Sequence, residues 1–244
     1  MSTYRPGGFQ ILPPIVKNLI IINVLVFAAT YVLKTGGIIN LEYYLALFHW
    51  KSPLFRPWQI VTHFFMHANL AHLFFNMFAL WMFGNVIENT LGPKRFLIFY
   101  FVCGLGAAFC HMLVFTWENA EAIRLFSQLP ALQQNEVINH VMATNYGPAM
   151  AGPMVTPMLG ASGAIMGVLF AFGYLFPNME IYIYFLIPLK AKYFVAIYAA
   201  LELFSGFRNS PTDNVAHFAH LGGMLFAFLL LKAWKLSSRT MWRY

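Results

Sequence analysis

Two short motifs place a serine and a histidine in strongly apolar surroundings. Ser162 lies in GASG at Gly160–Gly163, where an apolar stretch begins, and His220 lies in AHLGG at Ala219–Gly223, within another. A serine hydroxyl that meets a histidine base can attack a carbonyl carbon. Polar side chains inside a membrane are costly and usually functional. The pair therefore favours nucleophilic hydrolysis, with Ser162 as the nucleophile and His220 as the base.

Each of these side chains also has a purely structural interpretation. A serine at a helix start commonly caps free N–H groups, and a lone buried histidine is often only a hydrogen-bonding residue. The neighbouring glycines favour the chemical interpretation. Gly163 and Gly167 form a small-residue ridge on which another helix can pack closely. Gly223 shares the face of His220 at helical spacing, so that face is narrow as well.

A second polar pair lies in an earlier apolar stretch. His72 and Asn76 are one helical turn apart and share one face. Side-chain donors that converge on one point can stabilise an oxyanion, and in a water-poor site this is usually the largest catalytic contribution. The structural alternative is a polar pair that forms hydrogen bonds between helices.

The composition predicts that these residues belong to an all-α polytopic membrane protein. The chain has 244 residues, of which 60% are hydrophobic and only 9% charged, against about 25% charged in a soluble domain. Several apolar stretches reach the ~17–25 residues that span a bilayer. Lysines and arginines occur singly or in pairs beside these stretches, as topology signals do. The net charge of +7 therefore indicates membrane orientation and no nucleic-acid partner.

We predict six transmembrane helices. Loop alternation puts ten of the fifteen Lys and Arg residues on the side of both termini and five on the other side, which predicts cytoplasmic termini by the positive-inside rule. Ser162 and His220 then share one leaflet, near the outer surface. The predicted spans are Ile15–Leu33, Leu70–Asn89, Phe96–Thr116, Ser162–Phe176, Lys190–Phe207 and Ala216–Leu236.

Two connections carry structural predictions of their own. Met179–Pro188 is short, aromatic and β-branched, and we expect an irregular crossing loop there. Residues 117–158 form the least hydrophobic region, in which Pro130 should divide Ala120–Ala143 into two short helical pieces. These pieces would lie in the membrane interface or form a mobile solvated loop. In either case we expect an influence on substrate entry or stability, because no proposed catalytic residue lies there.

The order and spacing of these motifs resemble the rhomboid family of intramembrane serine proteases. The resemblance covers nearly the whole chain and implies one domain over residues 1–244, a bundle of six transmembrane helices. The matching segments are Phe55–Gln59, Thr62–His67, His72 with Asn76, Gly84, Glu88, Gly92, Gly160–Gly163 and Ala219–Gly223.

The resemblance also implies the chemistry of the site. Ser162 would be the nucleophile and His220 the base and then the acid of a dyad, with no acid needed to complete a triad. His72, Asn76 and the backbone N–H of Ser162 would bind the oxyanion. No metal or other cofactor is implied. The expected substrates are single-span membrane proteins in the lipid bilayer, cleaved in or beside their transmembrane segments at small or helix-weakening residues.

Some features depart from the family pattern or leave alternatives open. Met166 stands where some members place an aromatic residue that packs on the histidine; a flexible thioether can fill the same space. Asp213 is interpreted as a loop charge, and the AHLGG pattern assigns the catalytic role to His220 instead of His217.

Two other functions compete with the protease. One is a metal-binding membrane protein, whose donors would come from His63, His67, His72, His217 and His220. The other is an inactive, substrate-retaining relative, against which the intact serine and histidine argue. For location, six spans without an appended soluble domain lead us to expect a bacterial inner membrane.

Overall fold

The computed structural model describes residues 10–144, 147–183, 186–208 and 216–238. Each of the six predicted apolar stretches contains a helix. Single helical turns in the connections cover Glu42–Leu45, Gln59–Thr62, His63–Phe65, Ala149–Ala151 and Gly152–Val155. The main elements are α1 (Pro14–Thr35), α2 (Leu70–Leu91), α3 (Pro93–Glu118), α4 (Ala120–Ser127), α5 (Ala131–Thr144), α6 (Ser162–Leu175), β1 (Glu180–Ile183), β2 (Ile187–Lys190), α7 (Ala191–Arg208) and α8 (His217–Ala233).

Within the described ranges, three helices are long and apolar enough to cross a membrane. They are α1 and α2, with 22 residues each, and α3, with 26 residues. α6 and α8 are shorter apolar helices of 14 and 17 residues. Large apolar side chains remain on the outside, such as Phe75 at 66% and Phe207 at 75% exposure, which suits contact with lipid. The chain is therefore an integral membrane protein built mainly from helices.

Helix α6 forms the centre of the bundle. Eleven of its fourteen residues are buried, as expected for a helix that is apolar all round. Glycines let α3 and α8 approach it closely. A methyl group added to Gly167 would lie 2.5 Å from Cβ of Cys103, and one added to Gly223 would lie 2.0 Å from the carbonyl oxygen of Gly163. Such small residues are what close helix packing in a membrane requires.

A buried carboxylate joins α2 to the start of α1. Glu88 accepts hydrogen bonds from the backbone N–H groups of Ile15, at 2.9 Å, and Val16, at 2.7 Å. The first N–H groups of a helix have no partner within it, and the carboxylate also opposes the positive end of the helix dipole. A π-helical turn at Leu80–Gly84 precedes this contact within α2. Glu88 thus fixes the first helix against the second.

The segment between α6 and α7 corrects one prediction. The irregular loop expected over Met179–Pro188 is wrong, because β1 and β2 form an antiparallel hairpin. Glu180 pairs with Lys190 and Ile181 with Leu189. The β-branched and aromatic residues of this segment favour extended backbone, and pairing satisfies backbone groups that an irregular loop would leave to other partners.

The long connection between α3 and α6 is folded onto the rest of the protein. Pro130 separates α4 from α5, which confirms the predicted pair of short helices. The hydroxyl of Ser52 donates a 2.6 Å hydrogen bond to the carbonyl of Met154 and ties this region to the chain that follows α1. The connection has a small core of its own, formed by Ile123, Phe126, Ile138 and Met154.

Candidate active site

The loop before α6 has a conformation that glycine adopts far more readily than other residues. Gly160 has φ +117°, a region in which an L side chain is strained. Space is also short, since a methyl group there would lie 2.9 Å from Cε1 and 3.0 Å from Nε2 of His72. The N–H of Gly160 donates to the carbonyl of His63 at 2.9 Å. The loop is therefore held between the backbone of His63 and the ring of His72.

Ser162 is the first residue of α6, and its side chain is half-buried. The capping position belongs to Ala161, and no side-chain cap hydrogen bond forms. The hydroxyl of Ser162 thus does not serve as the N-cap that one interpretation suggested, and within the described ranges it has no hydrogen-bond partner. The same methyl group added at Gly160 would also lie 3.8 Å from the amide nitrogen of Ser162. Loop backbone, Ser162 amide and His72 ring accordingly lie together.

Helix α8 brings His220 to the same end of α6. A methyl group added to Gly163 would lie 3.8 Å from the carbonyl oxygen of Ala219, in van der Waals contact with α8. Ser162 precedes Gly163 and His220 follows Ala219, so the two motif residues flank this contact. His220 is only 7% exposed. No hydrogen bond joins it to Ser162 in the described structure, and catalytic hydrogen bonds often tighten only when substrate binds.

Helix α2 supplies the second polar pair. Asn76 is 6% exposed, and its Nδ2 is buried without a hydrogen-bond partner among the described residues. Leaving such a donor unsatisfied costs about 1–3 kcal/mol, so these groups are uncommon. His72, one turn earlier on α2, packs on the loop at Gly160. The helix therefore carries an unused donor, Nδ2 of Asn76, one turn from His72. His72 in turn contacts the Ser162 loop, the Gly160–Ala161 segment that leads into α6.

The structure adds an acidic residue that the sequence analysis did not single out. Glu202 of α7 is 7% exposed. Its Oε2 lies 2.7 Å from Nδ1 of His217, and its Oε1 lies 3.0 Å from Nδ1 of His220. The contact with His217 is a well-aligned hydrogen bond, whereas Nδ1 of His220 is within reach but poorly aligned. In the sequence, Glu202 is the only acidic residue in the predicted fifth span. An acidic residue inside a membrane is usually functional, so this residue could have been found.

His63 and His67, two of the histidines considered as metal donors, contact other parts of the protein. Nδ1 of His63 lies 2.8 Å from the carbonyl oxygen of Gln59. His67 packs edge-on against His72, with ring centroids 5.0 Å apart. Burial, reinforced by His72, lowers the pKa of His67 to about 4, which leaves it neutral at pH 7. No three His, Cys, Asp or Glu side chains in the described part of the chain are arranged to hold a metal ion, so the metal-binding interpretation has no geometric support.

Two more residues from the sequence analysis, Met166 and Asp213, can be compared with the structure. Met166, one turn after Ser162, is 9% exposed and belongs to the main hydrophobic core. Its thioether therefore fills buried space near the start of α6. Asp213 lies outside the described residues.

Comparison with known proteins gives a consistent family match. The family model described as "Rhomboid domain" matches residues 55–237. The chain is 25% identical over 213 residues to "RHOMBOID-like protein 12, mitochondrial" of Arabidopsis thaliana, covering 87% of this chain and 56% of the relative. It is 28% identical over 234 residues to "Rhomboid protein 1, mitochondrial" of Saccharomyces cerevisiae, covering 92% of this chain and 57% of that protein.

A bacterial relative matches as well. The chain is 28% identical over 196 residues to "Rhomboid protease GluP" of Bacillus subtilis, a match that covers 79% of this chain and 30% of the relative. The chain thus spans about half the length of the mitochondrial relatives, and less of this bacterial one.

Proposed function

Because the chain belongs to the rhomboid family, we propose that it is an intramembrane serine endopeptidase that uses Ser162 and His220. One observation carries this proposal. The Ser162 loop and His72 touch at Gly160, and α8 packs on the adjoining Gly163 beside His220. Under this proposal, a nucleophile on α6, a base on α8 and an oxyanion donor on α2 lie at one end of the bundle.

The mechanism follows from the atoms available at each residue. The hydroxyl oxygen of Ser162 attacks the peptide carbonyl carbon while Nε2 of His220 takes its proton. Nδ1 of His220 faces Glu202, which leaves Nε2 for the serine. The imidazolium then protonates the departing amine, and a water molecule hydrolyses the acyl-enzyme with His220 again as base. This route requires no metal or cofactor.

The oxyanion of the tetrahedral intermediate needs hydrogen-bond donors. We assign this role to Nδ2 of Asn76, to His72 and to the backbone N–H of Ser162. The unpartnered, buried Nδ2 of Asn76 supports the assignment, because a preorganised donor that needs no reorientation stabilises developing charge most effectively.

The substrates that fit this site are single-span membrane proteins. Their scissile bonds would lie in or beside a transmembrane segment with small or helix-weakening residues, since a stable helix shields its own carbonyls. We further propose that residues 1–244 form one domain with six membrane crossings. We also propose a bacterial inner membrane as its location. Both termini would face the cytoplasm, an orientation that the distribution of Lys and Arg favours.

The test is cleavage of a panel of single-span membrane proteins by the purified chain in lipid. Ser162→Ala and His220→Ala should abolish cleavage while the protein stays folded, and a fluorophosphonate should label wild-type protein at Ser162. Ser127→Ala, an exposed serine of α4, is the matched control and should cleave normally. Full turnover by folded Ser162→Ala would refute the proposal.

Two further outcomes separate the competing functions. A wild-type protein that binds the panel but neither cleaves it nor reacts with the probe would indicate an inactive relative. Activity that disappears with a chelator and returns with zinc would favour the metal-binding alternative.

A further inference from the structure

A single carboxylate connects α7 to two histidines of α8. The two oxygens of Glu202 face different partners, with Oε2 at 2.7 Å from Nδ1 of His217 and Oε1 at 3.0 Å from Nδ1 of His220. All three side chains are largely shielded from solvent, at 8–13% side-chain exposure. A carboxylate in such a place must find hydrogen-bond donors or positive charge, and two imidazoles lie next to this one.

The partner histidines are not equivalent. His217 already forms a well-aligned hydrogen bond to Glu202, and Tyr198, one turn earlier on α7, also interacts with the carboxylate. These contacts already give the buried carboxylate two partners besides His220. The second oxygen nevertheless lies against His220, the only other side chain of α8 with which Glu202 forms an ion-pair contact in the described structure.

The atom that Glu202 faces determines what His220 can do. A histidine whose Nδ1 donates a proton to a neighbouring acceptor carries its free lone pair on Nε2. That tautomer is the one in which Nε2 can accept the proton of a serine. When Nε2 takes the proton, the imidazolium becomes positive, and the carboxylate oxygen Oε1 of Glu202 lies only 3.0 Å from its Nδ1.

We propose that Glu202 is a positioning residue for His220: it holds the Nδ1–H tautomer and stabilises the imidazolium formed during proton transfer. This inference rests on the proposed function and adds Glu202 of α7 to its serine–histidine dyad as a third, positioning member. The carboxylate stays deprotonated throughout. The poor alignment of the resting contact fits a hydrogen bond that strengthens when His220 becomes charged.

The test compares four variants in lipid with wild type. Glu202→Gln should lower kcat about 10- to 10³-fold with KM changed less than threefold; in Ser–His–Asp enzymes the corresponding acid-to-amide change costs about 10⁴-fold. Glu202→Asp should recover at least tenfold over Gln. His217→Ala should keep kcat within about fivefold of wild type, because Oε1 still faces His220. Glu88→Gln is the control for loss of a buried carboxylate and should leave kcat of the folded protein unchanged.

A readout independent of cleavage keeps the two proposals separable. In ¹⁵N-histidine spectra, the His220 signal, identified by its loss in His220→Ala, should report the Nδ1–H tautomer in wild type and a tautomer mixture in Glu202→Gln. A folded Glu202→Gln with kcat within threefold of wild type overturns the inference and leaves the protease intact. If wild type and Ser162→Ala are equally inert, the proposed function fails. An unchanged His220 signal in Glu202→Gln then overturns the positioning role as well, and a changed signal supports it.

Discussion

At the scale of single residues, the site holds polar groups in buried positions without using all their hydrogen-bonding capacity. Nδ2 of Asn76 is buried and unpartnered among the described residues, and Nδ1 of His220 is only loosely engaged by Glu202. Buried polar groups left in this state reduce stability. In the proposed active site the free Nδ2 of Asn76 is useful, because this donor is already in place when negative charge develops on a substrate.

Replacing Asn76 with Ala should lower kcat about 10²- to 10³-fold, with little change in KM. The loss of one oxyanion donor typically has this size, equivalent to ~3–4 kcal/mol of transition-state stabilisation. A group that acts only in the transition state changes kcat and leaves substrate binding nearly constant. Steady-state cleavage of a single-span substrate in vesicles measures both constants.

The control for this change is Asn119→Ala. Asn119 donates its amide to the carbonyl of Phe115 at the end of α3, away from the Ser162 loop, and its replacement should leave both constants near wild type. If Asn76→Ala instead raises KM while kcat holds, Asn76 contacts the ground state and is not an oxyanion donor.

At the scale of elements, the proposed function depends on how closely α6 and α8 approach each other. A methyl group added at Gly223 would lie 2.0 Å from the carbonyl oxygen of Gly163. The two helices can approach this closely only because residue 223 is a glycine. Ser162 and His220 extend from the flanks of this contact. Any spreading of the helices would therefore change the distance between the proposed nucleophile and the proposed base.

Gly223→Ala should weaken both stability and catalysis. Overpacking a close contact costs about 1–3 kcal/mol, and the helices can relieve a 2.0 Å approach only by moving apart. We expect a lower unfolding temperature and slower fluorophosphonate labelling of Ser162. Leu225→Ala, on the half-exposed side of the same helix, serves as the control. Wild-type labelling by Gly223→Ala would show that the helix distance does not govern the site.

The α4–α5 connection should affect stability more than chemistry. Its buried residues contact one another and Met154, and none of the proposed catalytic residues lies in it. Shortening the chain between Ala120 and Ala143 should destabilise the protein, since Met154 loses its neighbours, yet leave Ser162 reactive to the probe. Loss of labelling in a shortened variant that still folds and inserts would show that this connection helps to form the site.

At the scale of the whole molecule, the outer surface carries many large apolar side chains, which suits contact with the lipid of a bilayer. Large apolar side chains such as Phe75 and Phe207 are more exposed than a protein in water tolerates in such number. Three helices have the length and composition to cross a membrane, and three more complete the proposed six crossings. An even number of crossings puts both termini on one side.

Cysteine accessibility tests this orientation. Single cysteines introduced by Ser2→Cys and Tyr244→Cys should react with a membrane-impermeant maleimide only from the cytoplasmic side. Gln128→Cys, in the exposed region after α4, should react only from the opposite side. The native Cys103 is buried and should not react, and the partly exposed Cys110 is replaced with Ala in all three variants. Labelling of the two termini from different sides would show that the number of crossings is odd and would contradict the proposed six.

The sequence by itself determined the helices and the chemical residue types, because these depend on local information. Apolar stretches of 14 to 26 residues mark the helices, Pro130 separates α4 from α5, and the serine, histidine and asparagine motifs stand out against an apolar background. The hairpin after α6 was missed, since its strands are short and gain their stability from pairing with each other.

Only the tertiary structure decided which side chains meet. The contact of His72 with Gly160 joins residues 88 positions apart, and the contact of Glu202 with His220 depends on how α7 and α8 are rotated against each other. Helix rotation and spacing follow from packing across the whole bundle, above all from glycines that let backbones touch. Local sequence carries no record of that packing, which is why Glu202 became visible as a partner of His220 only in the folded chain.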